Sequence, residues 1–510
     1  MRILDCTLRD GGYYTNWDFD DALVDKYIEA VNVLPVDYIE VGYRNNPGKD
    51  YIGKFGYTPA YILKHIRSRC RKKVAVMLNE KSTLPGDLDR LLRPICGLAD
   101  MVRLAVDPKN IDRAIVLAEA VKGLGFEVGF NMMYMSRWHE MDGFFPKLRG
   151  LRGVVDMLCI VDSFGGVTPD DVKSTLAEVR KYTGVPLAFH GHDNLQMGLI
   201  NAITAMDNGI DSVDATISGM GRGAGNLKTE LLLTYLNHRT GLDVDFNVLG
   251  DVIASFKPLM DKYRWGTSLP YMLSGANNIP QKEVMEWVTN RVYSFNSIVR
   301  ALANRKSGVA DNARFPLFEA KEKYERVIVI GGGDSATTHA TAIKDFVAGN
   351  ARTALVFATA RQAQAYNDFP ATKFYCLGGS EGHRLTANVG RDNYNGVCIL
   401  PPYPRTMGTD VPEYAIGSTY ELKSISFTDS FKDSVTTLAL QLALLLTDGD
   451  IFVTGYDGYP DNVLSEKEVT LTNENKAIFD AYAKVKGAPL KSLTYSIYKE
   501  LDIQSVYQFI

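Results

Sequence analysis

Over the first 240 residues the hydrophobic and polar positions switch repeatedly between two periods. Short apolar, β-branched runs ("RILDCTL", "VDYIEVG", "KVAVML", "DMVRLAV", "EVGFNMM", "VDMLCIV", "VPLAFHG" and "IDSVDAT") alternate with stretches of helical pattern, at the spacing of βα units. Eight runs is the number a closed barrel needs, so the pattern predicts an α/β chain whose residues 1–244 form a (β/α)8 TIM barrel. A doubly wound open sheet would ordinarily place a glycine-rich phosphate loop after its first strand, whereas this first run passes into "LRDGG". Charged and polar residues recur where the runs end, on the face where barrel active sites lie: Arg9, Asp10, Glu40, Asn79, Arg103, Asn131, Asp162, Ser163, His190, His192 and Asp214.

From 245 to 310 the pattern turns helical, in "FNVLGDVIASFKPLMDKYR" and "QKEVMEWVTNRVYSFNSIVRALANR". These segments predict a helical extension of the barrel, apolar enough to join copies of the chain in a homo-oligomer. Periodicity fades in "KSGVADNARFPLFEAKEKYE", which places a linker at 311–324. A Rossmann-like α/β domain is predicted over 325–510, opening with strand, glycine-rich turn and helix in "RVIVIGGGDSATTHATAIKDFV". Gly331, Gly333 and Ala336 fit G-x-G-x-x-A, whose backbone N–H groups and helix terminus suit a nucleotide or phosphate ligand. The competing reading is a plain βα turn, because the next strand, "TALVFATAR", brings Arg361 but no acid for a ribose diol.

Composition narrows the function classes. The 510 residues are 46% hydrophobic and 23% charged with a net charge of −4, the balance of an ordinary globular protein. That charge gives no electrostatic reason to invoke nucleic acid or a membrane surface. No apolar run approaches the roughly 18 residues of a membrane span, and the N-terminus shows no apolar targeting segment, so a cytoplasmic protein is expected. The six cysteines are scattered without a C-x-x-C pair, which predicts free, mostly buried thiols.

The sharpest chemical signal is "FHGHDN". Positions i and i+2 of a strand share a face, so His190 and His192 point together into the barrel mouth, where Asp10, at the end of strand one, can add a carboxylate. Two imidazoles and a carboxylate form a divalent-metal triad. An isolated H-x-H is more often a hydrogen-bonded strand end, so the context decides.

That context is three motifs in order: "DCTLRDGG" (Asp5–Gly12), "FHGHDN" (Phe189–Asn194) and "GMGRGAGN" (Gly219–Asn226). Together they resemble the metal-dependent aldolase, lyase and acyl-transfer superfamily that includes 4-hydroxy-2-oxovalerate aldolase, 3-hydroxy-3-methylglutaryl-CoA lyase and isopropylmalate synthase. The resemblance spans roughly residues 1 to 300, is strongest to the aldolases, and leaves 325–510 untouched. It implies Mn2+ or Mg2+ held by Asp10, His190 and His192, with Asn226 as ligand or support. It further implies that Arg9 stabilises an enolate, that Ser163 bonds a keto-acid carboxylate, and that Glu40 lies by the substrate. The implied reaction makes or breaks a carbon–carbon bond between pyruvate, or a related 2-keto acid, and an aldehyde.

Two departures matter. The aldolases commonly carry a basic histidine three residues after the metal aspartate, where this chain has Tyr13; a phenol, with an ordinary pKa of about 10, needs strong perturbation to act as a base at neutral pH. The catalytic proton carrier is therefore Tyr13, a metal-bound water or another group. The glycine-rich loop also lacks the cysteine of the CoA-ester lyase and carries Arg222, suited to an anionic group on a second substrate. The alternatives are an acyl-CoA lyase or condensing enzyme on the same barrel, and a non-catalytic barrel that serves as a binding module for the C-terminal domain.

Overall fold

Strands buried on both faces send alternate side chains outward to the helices and inward to the barrel axis. In the computed structural model, which describes residues 1–49, 51–280, 299, 301, 313–349, 352–405, 409–459 and 466–510, eight parallel strands close a barrel in chain order. They are β1 (Arg2–Asp5), β2 (Tyr38–Tyr43), β3 (Lys73–Asn79), β4 (Met101–Val106), β5 (Glu127–Met132), β6 (Met157–Asp162), β7 (Leu187–Gly191) and β8 (Ser212–Ala215). Ile39 and Val41, Val102 and Leu104, and Leu187 and Phe189 pack outward in the main core. The residues between them meet inside: Arg103 of β4 reaches Glu40 of β2, and Ala188 of β7 packs on Met157, Cys159 and Val161 of β6.

Two helices of the predicted extension, Phe246–Tyr263 and Leu269–Ala276, belong to the same compact unit as the barrel, Met1–Glu286. Phe256 meets Tyr27 of the barrel helix Asp21–Val33 edge-on. Asn194 of "FHGHDN" donates to Tyr271 O and Ser274 Oγ, which ties the seventh βα loop to the second helix. The rest of the predicted extension and the start of the linker, at 281–298, 300 and 302–312, lie outside the described residues.

The second unit, Trp287–Ile510, contains an all-parallel sheet of β9 (Arg326–Ile330), β10 (Thr353–Phe357), β11 (Thr372–Cys376), β12 (Val397–Leu400), β13 (Thr419–Glu421), β14 (Asp450–Thr454), β15 (Leu490–Ser492) and β16 (Leu501–Ile503). Their order is β13-β12-β11-β10-β9-β14-β15-β16, so the chain winds outward from β9 on one side and then returns to wind outward on the other. Both faces are covered: Val327 and Val329 enter one apolar cluster, Ile328 and Ile330 another. Cys6, Cys70, Cys159, Cys376 and Cys398 are buried free thiols and Cys96 is exposed. Among the described residues no helix is long and apolar enough to cross a membrane.

Candidate functional site

Arg9 and Asp10 do not end a strand, as the sequence pattern suggests; β1 stops at Asp5 and both residues lie on the helix Thr7–Thr15. The cause is tertiary. The buried Asp5 carboxylate accepts Thr7 N at 3.0 Å and the hydroxyls of Thr7, Tyr27 and Thr229 at 2.6 Å each, which anchors the first helical turn. Gly11 and Gly12 would ordinarily weaken a helix. Here a Cβ on Gly12 would lie 2.1 Å from the Trp17 ring, whose indole N–H donates to Arg9 O at 2.9 Å. Helical spacing also puts Tyr13 on the side of Arg9 and Asp10, four and three residues on.

The helix and β7 bring Asp10, His190 and His192 together, with one donor atom from each within 4.8 Å of the others. Each imidazole has one nitrogen committed elsewhere. His190 Nδ1 lies 3.0 Å from Asp214 and its Nε2 3.5 Å from Asp10; His192 Nδ1 donates to Asp162 O at 2.7 Å. Such partners set the tautomer and free Nε2 for a cation. Burial, then the neighbouring His190, pulls His192 down to about 4, so it stays neutral near pH 7. Burial would raise the Asp10 carboxyl, but Arg9, His190 and His192 outweigh it and hold it below its ordinary range. Asn226 donates to Asp10 at 2.5 Å while its buried Oδ1 has no hydrogen-bond partner. Two imidazoles, a carboxylate and an orphaned carboxamide oxygen fit a divalent cation. Gly221 permits this approach, since a Cβ there would lie 2.5 Å from the Asn226 carboxamide. A second grouping, Cys6, His190 and Asp214, fits less well. Burial raises the Cys6 thiol, which stays protonated, and His190 Nδ1 is already bonded.

Behind the triad runs a buried chain of charges. Arg9 contacts Asp10 and Glu40 at 2.7 Å each; Arg103 contacts Glu40 at 3.3 Å and Asp214 at 2.6 Å. Burial opposes the charge on Arg9, but Asp10 and Glu40 overcome it and raise its pKa further. Burial would lift the Asp214 carboxyl, but Arg103 and His190 hold it down at about 2. Glu40 was expected to bind substrate. It is instead wholly buried between two guanidinium groups and orients Arg9, because the inward face of β2 at that level meets Arg103 rather than the mouth.

Arg9, Asp10, Tyr13, Asn79, Asn131, Ser163, His190, His192 and Arg222 share the lining of one cavity of about 290 Å³. Ser163 Oγ accepts Tyr134 N at 2.8 Å, so its own proton can be donated. Asp162 faces away, its carboxylate taking Gly165 N, Gly166 N and Val167 N. Tyr13 shares a 3.0 Å hydrogen bond with Tyr43, and burial, followed by Tyr13 itself, pushes the Tyr43 phenol well up, so Tyr43 keeps its proton. Strand alternation does not reveal Tyr43, since the β2–β3 register shifts between Glu40 and Tyr43 and re-aims the side chain. Lys81 and Tyr134, on the turns after β3 and β5, also line the cavity without a strand-end signal.

The expected nucleotide turn has another role. Gly331 N and Gly333 N donate to Thr454 O and Gly455 O, at 2.8 and 2.7 Å, and Ser335 N donates to the Asp457 carboxylate at 2.9 Å. A Cβ on Gly333 would lie 2.7 Å from that carboxylate, and buried Ala336 sits against Gly455. The small size of Gly331, Gly333 and Ala336, the expected ligand residues, serves the packing of the β9 turn on the β14 turn, with the Asp457 carboxylate held by Ser335 N beside Gly333.

With this geometry in view, the HMGL-like family model matches residues 108–253. The 4-hydroxy-2-oxovalerate aldolase of Geobacillus genomosp. 3 is 30% identical over 269 residues, 51% of this chain and 78% of the relative. The enzyme of that name from Moorella thermoacetica is 32% identical over 287 residues, covering 54% and 82%. The chain belongs to the HMGL-like family. A crystal structure of the N-terminal domain of a Bacteroides vulgatus protein, provisionally named an aldolase, aligns over its full length and 59% of this chain, with 69% identity and a TM-score of 0.57.

Proposed function

We propose that the barrel is a divalent-metal-dependent aldolase that makes or breaks a carbon–carbon bond between pyruvate, or a related 2-keto acid, and an aldehyde. The observation that carries this reading is the Arg9 guanidinium, buried 2.7 Å from Asp10 and Glu40 and lining the same cavity as His190 and His192. Mn2+ or Mg2+ held by Asp10, His190 and His192, with Asn226 Oδ1 as a further donor, would supply Lewis-acid stabilisation of charge on a keto oxygen. Arg9 adds a fixed positive charge with directed donors to that oxygen as the enolate forms. Ser163 donates its hydroxyl proton to the keto-acid carboxylate. Tyr13, relayed to Tyr43, is the group placed to move a proton at the reacting carbon. The cavity suits molecules of pyruvate's size. The 4-hydroxy-2-oxovalerate aldolase relatives, named for the cleavage of a hydroxy keto acid, support the same chemistry.

The sheet order of the second unit supports a Rossmann-like reading of that domain, since its strands reverse direction of growth between β9 and β14. The aldolase reading is tested by incubating the protein with pyruvate, Mn2+ or Mg2+ and a panel of aldehydes, following pyruvate loss and deuterium uptake into its methyl group. Turnover that is lost with a chelator and regained with metal supports it. Neither turnover nor exchange with any divalent metal would refute it.

A further inference from the structure

Arg222 lies in the loop between the barrel's last strand and the helix Thr229–Thr240, half-buried at the cavity wall. Its guanidinium carbon sits 3.7 Å from the centroid of the Tyr13 ring. Stacking at this distance holds the planar cation in one orientation and leaves its N–H edge unspent. The other cations of the cavity are paired, Arg9 with Asp10 and Glu40 and Lys81 with Asp107. Among the described residues Arg222 makes neither an ion pair nor a side-chain hydrogen bond. A fixed fork of donors with no acceptor, facing a small cavity, is the arrangement that recognises a carboxylate or phosphate.

Position says which substrate would carry that anion. Arg9 and the metal-binding side chains define the pole where the keto acid reacts, and Ser163 offers a donor for its carboxylate. Tyr13 stands beside Arg9 and Asp10 on the helix, and Arg222 lies over the Tyr13 ring in the wall of the same cavity. We infer that the second substrate is an aldehyde bearing a carboxylate or phosphate, and that Arg222 holds this group; the inference rests on the aldolase reading above. In the bond-forming direction the methyl carbon of the keto acid loses a proton, attacks the aldehyde carbon, and the resulting alkoxide takes up a proton. All atoms of both reactants are retained in a 4-hydroxy-2-oxo acid, and no oxidant or reductant is needed.

The test uses the full chain with Mn2+. Deuterium exchange into pyruvate alone, read by NMR, reports enolisation without any aldehyde. Pyruvate consumption is then compared in matched pairs: succinic semialdehyde against butanal, and glyceraldehyde 3-phosphate against glyceraldehyde. The expected result is a kcat/KM at least tenfold higher for the anionic member of one pair, the favoured pair identifying carboxylate or phosphate. Arg222→Leu should bring that ratio to about one, and Arg222→Lys should keep part of it. Equal wild-type rates within both pairs, or turnover of none of the four aldehydes while exchange persists, would overturn the inference and leave the aldolase reading standing. An Arg222→Leu enzyme that loses equally with anionic and neutral aldehydes also overturns it and assigns Arg222 to holding Tyr13, whereas a raised KM for pyruvate with an unchanged ratio assigns Arg222 to the keto acid. A wild type that shows neither exchange nor turnover, with Mn2+ or any other divalent metal, removes both readings.

Discussion

The carboxylate of Asp214 lies 3.0 Å from Nδ1 of His190, which commits that nitrogen to a hydrogen bond and leaves Nε2 facing Asp10. The same carboxylate receives Arg103 at 2.6 Å. An inward residue of β8 thereby orients a candidate metal-ligand ring on β7 and anchors the cation that shares Glu40 with Arg9. Asp214→Asn should weaken Mn2+ binding about 10- to 100-fold, the usual cost of losing a partner that orients a ligand histidine. Isothermal titration with Mn2+ measures this; unchanged affinity would show that the contact is packing alone.

Metal binding and folding should be linked. A cation that binds only the folded chain at 100 times its dissociation constant stabilises it by about 2.7 kcal/mol. Mn2+ should therefore raise the melting temperature of the wild type and EDTA should reverse the gain. His192→Ala should show no metal-dependent change.

Glu40 separates two buried guanidinium groups, so Glu40→Gln leaves both short of a counter-charge. Breaking one member of a buried ion network costs about 3–5 kcal/mol. Urea unfolding should show that loss, with a fall in kcat as Arg9 loses its 2.7 Å anchor. A variant as stable and as active as the wild type would refute the positioning role.

Tyr13→Phe removes the phenol and keeps the ring under Arg222. If Tyr13 carries the proton, deuterium uptake into pyruvate should fall about a hundredfold, within the range for a lost general acid or base. Tyr43→Phe should have the smaller effect, since it removes only the partner. Undiminished exchange in Tyr13→Phe would move the proton step to another group.

Stability should vary with pH in two opposed windows. Burial raises the Asp162 carboxyl from 3.8 to about 6, despite the backbone N–H groups it accepts. A folded pKa above the unfolded one favours the protonated form, so this contribution is full below 3.8 and is lost as pH rises through about 6. Asp214, held at about 2, has the opposite sign: its contribution is full above 3.8 and is lost as pH falls towards 2. Urea unfolding between pH 4 and 7 should show the wild type losing up to about 3 kcal/mol relative to Asp162→Asn. A constant difference across that range would contradict the raised pKa.

The barrel was legible because each of its strands is an apolar run with one inward side chain in two, and His190 and His192 share a face by that same alternation. Asp10, Arg9 and Tyr13 were legible as residues but not in their setting. The Asp5 anchor and the Trp17 ring impose a helix on a glycine pair that local propensity does not favour. Tyr43 was hidden by a register shift, and Asp214 and Arg103 stood among the strand-end candidates without a hint that they lie behind the mouth rather than in it. The glycines of the second domain matched a ligand motif, yet the N–H groups of Gly331, Gly333 and Ser335 are met by Thr454, Gly455 and Asp457, more than a hundred residues away.

By itself the sequence determined the βα alternation, the eight strands of the barrel and the candidate metal ligands that the fold brings together, because these depend on periodicity and residue type over short spans. Only the tertiary structure decided that Glu40 serves Arg9, that Arg222 stacks on Tyr13, and that Asp457 fills the glycine turn. Each of these depends on which distant side chain meets a buried charge or donor. Burial makes an unmet polar group costly, so the partner that the fold brings within reach, and not the local pattern, settles the role.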